Sequence, residues 1–112
     1  MVKAIVNGTV IADSIDTIVV EGNHYFPPSD VKTVLFSDSN TSSVCAWKGP
    51  AQYYDASIEG KNIKDIAWYY PTPSAKATQI KSYIAFYKVR RSDLRGVVYL
   101  TPHYKNKVDI QE

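Results

Sequence analysis

The dipeptide Asn7-Gly8 separates two short runs rich in β-branched residues, Val2–Val6 and residues 9–12. Asn-Gly readily supplies the positive φ angles of a type I′ turn, so residues 2–12 predict a β-hairpin. Long helical periodicity is absent from the rest of the sequence, which argues against a helix bundle and against a parallel α/β sheet. The chain is therefore predicted to be mainly β, a single compact domain of short antiparallel strands with one or two short helices.

Short runs separated by turn residues predict the remaining strands and loops. Further strands are expected at residues 17–20, 34–36, 52–58, 63–69, 83–87 and 97–100. Turns are expected at residues 21–24 and 59–62. Residues 37–43 are expected to form a loop because they are almost entirely Ser, Asp, Asn and Thr.

Two segments are expected to be helical. Residues 27–31 predict a short helical turn with Pro28 in its first position, where the missing N–H costs nothing. Residues 71–73, Pro-Thr-Pro, block both a helix and a central strand. Residues 74–82 then predict a second helical stretch with Ser74 as its N-cap.

The composition is that of an ordinary soluble globular domain. The 112 residues are 45% hydrophobic and 21% charged, with a net charge of +2, and this length predicts one domain over residues 1–112. The positive surplus lies near the C-terminus, around Lys88, Arg90, Arg91 and Arg95. It is interpreted as a solvated edge that discourages strand-to-strand aggregation, with an anion-binding face as the alternative.

A single cysteine sets the expectations for metals and for location. One Cys excludes an internal disulfide framework and the Cys-rich zinc motifs, so we expect no metal and no cofactor. The first apolar run breaks at Asn7-Gly8 before a signal-peptide pattern forms, and no apolar stretch approaches the ~20 residues that span a bilayer. We therefore expect a cytoplasmic, reduced protein with no membrane partner.

Two aromatic runs indicate where a binding site is expected. The run from Cys45 to Tyr54 holds the only cysteine, a tryptophan, a lysine and a pair of tyrosines, and a second run covers residues 68–71, Trp-Tyr-Tyr-Pro. Flat rings hold planar or cationic ligands by stacking and by cation–π attraction. These runs therefore predict an aromatic-walled site on a small β domain.

Four motifs follow one another over about residues 4–88. They are Glu21-Gly22-Asn23-His24-Tyr25-Phe26-Pro27, Cys45-Ala46-Trp47-Lys48-Gly49 with Ala51 and Tyr53-Tyr54, Ala67-Trp68-Tyr69-Tyr70-Pro71-Thr72-Pro73, and Ile80 with Tyr83-Ile84-Ala85-Phe86-Tyr87. Together they resemble the motifs of the domain-of-unknown-function family 427 (DUF427). Residues 89–112 lie beyond these motifs as a basic C-terminal extension.

The resemblance implies a fold similar to the β-tent group, small β domains that include methionine-R-sulfoxide reductases and the drug-binding domain of cereblon. Many of that group hold a structural zinc with two Cys-x-x-Cys pairs, which this sequence lacks, so the resemblance carries no metal over. The family has also borne a nucleotidyltransferase-like label. The sequence has neither a P-loop for phosphates nor paired carboxylates at short spacing for a two-metal site.

One pocket is predicted where the first three motifs converge. It is expected to be lined by Glu21, Tyr25, Lys48, Tyr54, Trp68 and Tyr70. These residues lie at strand ends and beside Gly or Pro turns, positions that commonly carry function on a rigid scaffold. Because neighbouring strand residues face opposite sides, only about half of the aromatic rings can line one cavity. For Glu21 and Lys48 the alternative is an ion pair that closes the fold.

Cys45 and Lys48 are the candidate catalytic residues. A thiol nucleophile at Cys45 needs a neighbouring cation such as Lys48, and the alternative is a small buried hydrophobe. His24 is expected to be an exposed, neutral turn residue rather than a catalytic partner of Cys45. Cys45 and Trp47 are expected to be largely buried, with Lys48 at the rim of a cleft.

Two classes of function remain open. The first is a domain that binds a small polar ligand between Glu21 and Lys48. The alternative is an enzyme that uses Cys45 as a thiol or Lys48 to hold an anionic group, as a transferase does. A nucleic-acid module is disfavoured, because the net charge is small and no nucleic-acid-binding motif is present. The oligomeric state is left open.

Overall fold

The computed structural model describes residues 1–87 and 108–112. This part of the chain is mainly β, as predicted. Its strands are β1 (Val2–Val6), β2 (Thr9–Ser14), β3 (Ile18–Val20), β4 (Asn23–Tyr25), β5 (Phe36–Cys45), β6 (Gly49–Ile58), β7 (Lys61–Tyr69), β8 (Ile84–Phe86) and β9 (Asp109–Gln111). Short 3-10 helices cover Pro28–Asp30, Thr33–Leu35 and Ala75–Ile80. Within these residues, no helix has the length and apolar character needed to cross a membrane.

The strands form three antiparallel sheets. The first sheet has the order β2-β1-β9, the second is the β3–β4 hairpin, and the large sheet has the order β5-β6-β7-β8. The β1–β2 hairpin turns at Asn7 and Gly8, whose φ angles of 48° and 84° suit a type I′ turn. The predicted hairpin is thus confirmed, and its second strand continues past residue 12 to Ser14.

Both faces of the large sheet are covered. The main core lies between one face and the first sheet, and its buried members include Val6, Ile11, Ile63, Ile66, Ala67 and Phe86. The second core lies between the other face, the β3–β4 hairpin and the Ala75–Ile80 helix, and comprises Tyr25, Ala51, Tyr70, Ala77, Ile80 and Ala85. From Ala67 onward, successive residues of β7 pack in alternate cores, because strand side chains point to opposite faces: Ala67 lies in the main core and Trp68 packs against the second.

Strand β5 differs most from the sequence-based prediction. It covers Phe36–Cys45, although the composition of residues 37–43 predicts a loop. The 3-10 helix Thr33–Leu35 likewise replaces most of the strand predicted at residues 34–36. The polar residues of β5 are accommodated because its pairing with β6 is interrupted by a bulge between Asp38 and Ser42.

The Asp65 carboxylate, on β7, stabilises this irregular part of β5. Its oxygens accept hydrogen bonds from Ser39 Oγ and, at 2.7 Å, from Thr41 Oγ1, while its own amide donates to Asp55 Oδ1 at 2.8 Å. Burial raises the pKa of Asp65, but the hydrogen bonds from Ser39 and Thr41 outweigh this effect and hold the pKa below its usual range. Local composition cannot reveal a partner that arrives from another strand.

Two Glu-Gly turns are shorter than predicted. Glu21-Gly22 joins β3 to β4 and Glu59-Gly60 joins β6 to β7, with positive φ at all four residues. Two residues in this conformation complete a type I′ turn. Strands β4 and β7 therefore begin at Asn23 and Lys61, within the segments 21–24 and 59–62 that are predicted as turns.

Both predicted helical segments are confirmed in position, and the second is shorter than predicted. Pro28 begins the 3-10 helix Pro28–Asp30, as expected. Within residues 74–82 only Ala75–Ile80 is helical, with a kink at Ala77, and the Ser74 side chain does not cap it. Ser74 Oγ instead donates to the carbonyl oxygen of Trp47, which ties this segment to the β5–β6 loop.

Strand β9, like β4, is an element that the sequence does not predict. It pairs with β1, with Gln111 opposite Lys3, and the amide of Val108 donates to the carbonyl oxygen of Tyr87 at 2.8 Å. Three residues are too few to show a strand periodicity of their own. The strand predicted at residues 97–100 lies outside the described residues, as do Lys88, Arg90, Arg91 and Arg95.

Replacing Asp65 with Asn should destabilise the domain by about 1 kcal/mol at neutral pH, because two charge-assisted hydrogen bonds become neutral ones. Since folding lowers the pKa of Asp65, the stability that its charge contributes is present above the ordinary value of 3.8 and is lost as the pH falls through the lower folded value. Urea denaturation at several pH values should show wild type and Asp65→Asn converging in acid.

The matched control is Asp13→Asn, because Asp13 is an exposed residue of β2. We expect this change to stay within about 0.5 kcal/mol of wild type. A constant difference between Asp65→Asn and wild type down to the acid limit would contradict the role given to the Asp65 charge.

Candidate functional site

An ion pair between Glu21 and Lys48 lies at the centre of the candidate site. Lys48 is only 7% exposed, and its ammonium donates a hydrogen bond to Glu21 Oε1. The side chain of Glu21, by contrast, is 54% exposed. Lysine is rarely buried without a partner, so Glu21 compensates the buried charge. The pair joins the β3–β4 turn to the loop between β5 and β6.

The backbone of that loop is fixed by a close approach at Gly49. Gly49 has φ 102°, and a Cβ there would lie 3.3 Å from both the Thr72 oxygen and the Ser74 nitrogen. The Ser74 amide donates to the carbonyl oxygen of Lys48 at 3.0 Å. A residue larger than glycine would disturb this contact, so Gly49 helps to set the position of Lys48.

Aromatic rings surround the Lys48 ammonium. Its Nζ lies 5.2 Å from the centroid of the Trp47 ring and 5.5 Å from that of the Tyr70 ring, within the range of cation–π attraction. Burial lowers the pKa of Lys48, but the hydrogen bond to Glu21 and the nearby Tyr25, Tyr70 and Cys45 outweigh it and raise the pKa above its ordinary value. The hydrogen bond from Lys48 in turn lowers the pKa of Glu21. At neutral pH both groups are therefore charged.

Tyr25 connects the ion pair to the interior of the second core. Tyr25 is fully buried, and its hydroxyl accepts a hydrogen bond from Trp68 Nε1 at 3.2 Å. Its ring packs edge-on against Trp68, with centroids 6.3 Å apart, and lies 6.4 Å from the Tyr70 ring. Burial, together with the neighbouring Tyr25, raises the pKa of Tyr70 to about 12. Tyr70 is thus neutral beside Lys48.

The rings continue from Trp68 toward the surface. Tyr87 lies 4.7 Å from Trp68 and is stacked on Tyr53 at 6.4 Å, with 8° between the ring planes. Burial and a hydrogen bond with Tyr53 raise the pKa of Tyr87 to about 12. The sequence analysis did not single out Tyr87. A period of two along β8 could have identified it, because Ala85 is paired with Trp68 and Tyr87 lies two residues further on the same face.

The structure brings together five of the six residues predicted to line a pocket. These are Glu21, Tyr25, Lys48, Trp68 and Tyr70. Tyr54 is not among them, because it points to the opposite face of the large sheet and packs against the main core. There it stacks on Tyr69, with centroids 4.5 Å apart, and burial with this neighbour raises the pKa of Tyr69 to about 12. A ligand-binding role for the five residues stays a prediction.

The burial predicted for the loop is wrong in part. Trp47 is 37% exposed instead of largely buried, because Lys48 rather than the indole turns inward. Cys45 is half-buried and packs against the second core. It lies close enough to Lys48 for a charge on its sulfur to act on the lysine.

His24 is not the exposed turn residue that the sequence predicts. It lies in β4 with its side chain 13% exposed. Its Nδ1 is 2.8 Å from Thr17 Oγ1, and its Nε2 is 2.5 Å from Glu112 Oε2. Both ring nitrogens are thus occupied by groups other than Cys45, and the structure shows no Cys45–His24 couple. Among residues 1–87 and 108–112, no group of three His, Cys, Asp or Glu side chains could hold a metal ion.

Glu21→Gln should lower the pKa of Lys48 relative to wild type, because the hydrogen bond from the ammonium to the Glu21 carboxylate is the largest of the causes that raise it. Titration of the lysine side chains by NMR measures this shift. Glu59→Gln is the matched control, since Glu59 occupies the same turn position, φ 51° against 53°, and accepts a hydrogen bond from Thr9 instead. A Lys48 pKa that is the same in both variants would mean that Glu21 does not compensate the buried charge.

Comparison with known proteins gives a family but no described activity. No curated protein sequence matches this chain. The family model of the domain of unknown function DUF427 matches residues 1–97, which extends beyond the motifs found in about residues 4–88. Because this match covers well over half of the sequence, the chain belongs to the DUF427 family.

Proposed function

We propose that the site around Glu21 and Lys48 binds a small zwitterionic ligand, with an anionic group at Lys48 and a cationic group at Glu21. The observation that supports this most is the unequal exposure of the pair: Lys48 is 7% exposed, whereas the Glu21 side chain is 54% exposed. A carboxylate on an exposed turn can exchange its partner for a group of a ligand, because more than half of its side chain is open to solvent. Lys48 is buried and stays charged when Glu21 changes its partner.

The aromatic rings give such a ligand a wall. Trp47 is 37% exposed beside Lys48, so its ring offers a flat surface to a ligand that replaces Glu21. Tyr70 and Tyr25 hold the other side of Lys48 in an apolar setting, where an ion pair is stronger than in water. Anion binding also agrees with the raised pKa of Lys48, because the amine is protonated throughout the neutral range.

A thiol enzyme is the second candidate, favoured by the proximity of Cys45 to the Lys48 cation. In this alternative Lys48 would stabilise a thiolate or hold an anionic substrate, as in a transferase. Lys48 itself does not suit a nucleophile, since a nucleophilic amine needs a lowered pKa. We also propose that the protein is cytoplasmic and that its fold is related to the β-tent domains.

A thermal-shift screen of the full chain with the common amino acids, small carboxylates and phosphate tests the proposal. A zwitterionic amino acid at 100 times its Kd should add about 2.7 kcal/mol to the free energy of unfolding. We expect the shift to vanish in Lys48→Met and to persist in Lys76→Met, a control at an exposed position of the nearby Ala75–Ile80 helix.

The contrary outcomes are equally specific. A shift of the same size in Lys48→Met would place binding elsewhere, and a shift with carboxylates or phosphate alone would leave no role for Glu21 as a cation partner. Cys45→Ser separates the two candidate functions. Ligand binding should survive this change, whereas any activity that depends on the thiol should be lost.

A further inference from the structure

The second feature of interest lies at the other end of the large sheet, where two bulges face each other across β6. On one side, Asp38 pairs with Tyr54 but the next pair is Ser42 with Gln52. On the other side, the pairing of β6 with β7 shifts between Tyr54 and Ala56. Bulges bend a strand and increase its local twist. The extra residues of β5 and β7 therefore curve the sheet around this part of β6.

A depression of about 360 Å³ lies beside the bulges. It is lined by Ser37, Asp55, Ala56, Ser57, Asn62, Ile63 and Lys64, and thus contains none of the residues around Lys48. Its volume is at the lower end of the range of about 300–1,000 Å³ found for small-molecule sites. The depression therefore suits one small ligand.

The walls of the depression carry groups that both donate and accept hydrogen bonds. Ser37, Ser57 and Asn62 are exposed, and within the described part of the chain their side chains form no hydrogen bond with other protein groups. A hydroxyl or an amide offers a donor and an acceptor at one place. Ser57 and Asn62 face each other as a pair across β6 and β7. Ala56 and Ile63 also line the depression, although their side chains are buried in the main core on the other face of the sheet.

The charges of the depression favour a ligand without net charge. Asp55 and Lys64 both line it, so the two charges cancel and neither a simple anion nor a simple cation gains from them. Asp55 is held in place because its Oδ1 accepts a hydrogen bond from the Asp65 amide at 2.8 Å. Asp65 lies at the bulge of β7 with φ 54°.

We propose that this depression is a second binding site, which takes an uncharged polyhydroxylated molecule such as a monosaccharide. The hydroxyl groups of a sugar match the paired donors and acceptors of Ser37, Ser57 and Asn62. Asp55 and Lys64 add one acceptor and one donor at the wall.

The test is an NMR titration of the full chain with D-glucose and D-ribose, followed through the backbone amides. Saturable shifts are expected at residues 55–57 and 62–64. In the double variant Ser57→Ala, Asn62→Ala the Kd should rise about tenfold, because two hydrogen bonds to the sugar are lost while both positions are exposed and the fold is retained. Lys61→Ala is the matched control, since Lys61 is exposed in β7 but does not line the depression.

Three outcomes would overturn the proposal. They are the absence of saturable shifts with either sugar, an unchanged Kd in the double variant, and shifts that inorganic phosphate alone produces. The test is independent of the Glu21–Lys48 site, because Lys48→Met should leave the sugar-induced shifts unchanged. Failure of one site therefore says nothing about the other.

Discussion

Alternation of side chains along the large sheet is the constraint on which both the core and the candidate site depend. In most antiparallel sheets one face meets water, so a strand shows one apolar row. Here both faces are covered over β7 and β8, and neighbouring residues such as Ala67 and Trp68 enter different cores. The aromatic residues of β7 are thereby divided between the two cores. The sheet residues whose rings lie around Lys48 belong to the face that the β3–β4 hairpin covers.

The hairpin that covers this face also supplies the charge that the site needs. Burial of an ammonium is unfavourable unless a carboxylate and polarisable rings compensate it. Tyr25, at the end of β4, meets Trp68 and Tyr70, while the turn before β4 brings Glu21 to Lys48. One short hairpin thus completes both the packing and the electrostatics. Loss of either contact would leave the Lys48 charge in an apolar pocket without its partner.

The sequence predicted what local patterns determine. The Asn7-Gly8 hairpin, the strands β3, β6, β7 and β8, and the Pro28 helical turn all follow from turn chemistry and short runs of β-forming residues. Five of the six proposed site residues also meet, since motif spacing places them at neighbouring strand ends. Tyr54 was assigned to the wrong face because the sequence does not show which of two adjacent rings turns toward the hairpin.

Features that depend on contacts between residues far apart in the sequence could not be predicted in the same way. The composition of β5 is that of a loop, but Asp65 on β7 accepts hydrogen bonds from the hydroxyls of Ser39 and Thr41, and these bonds stabilise the strand. Strand β9 is recognisable only beside β1, from which it is separated by nearly the whole sequence. Burial of Lys48 and exposure of Trp47 likewise depend on where Glu21 lies. In each case a polar or short segment becomes ordered because a tertiary contact satisfies it.

The two Glu-Gly turns show most directly how far local sequence determines function. Glu21 and Glu59 have the same following glycine and nearly the same φ, 53° and 51°, so the local chemistry that builds both turns is the same. Their surroundings differ: Glu59 accepts a hydrogen bond from an exposed Thr9 hydroxyl, whereas Glu21 meets a buried ammonium. A carboxylate that only accepts from a surface hydroxyl carries no special chemistry. The different contacts of these identical dipeptides therefore come from the residues that the fold places opposite them.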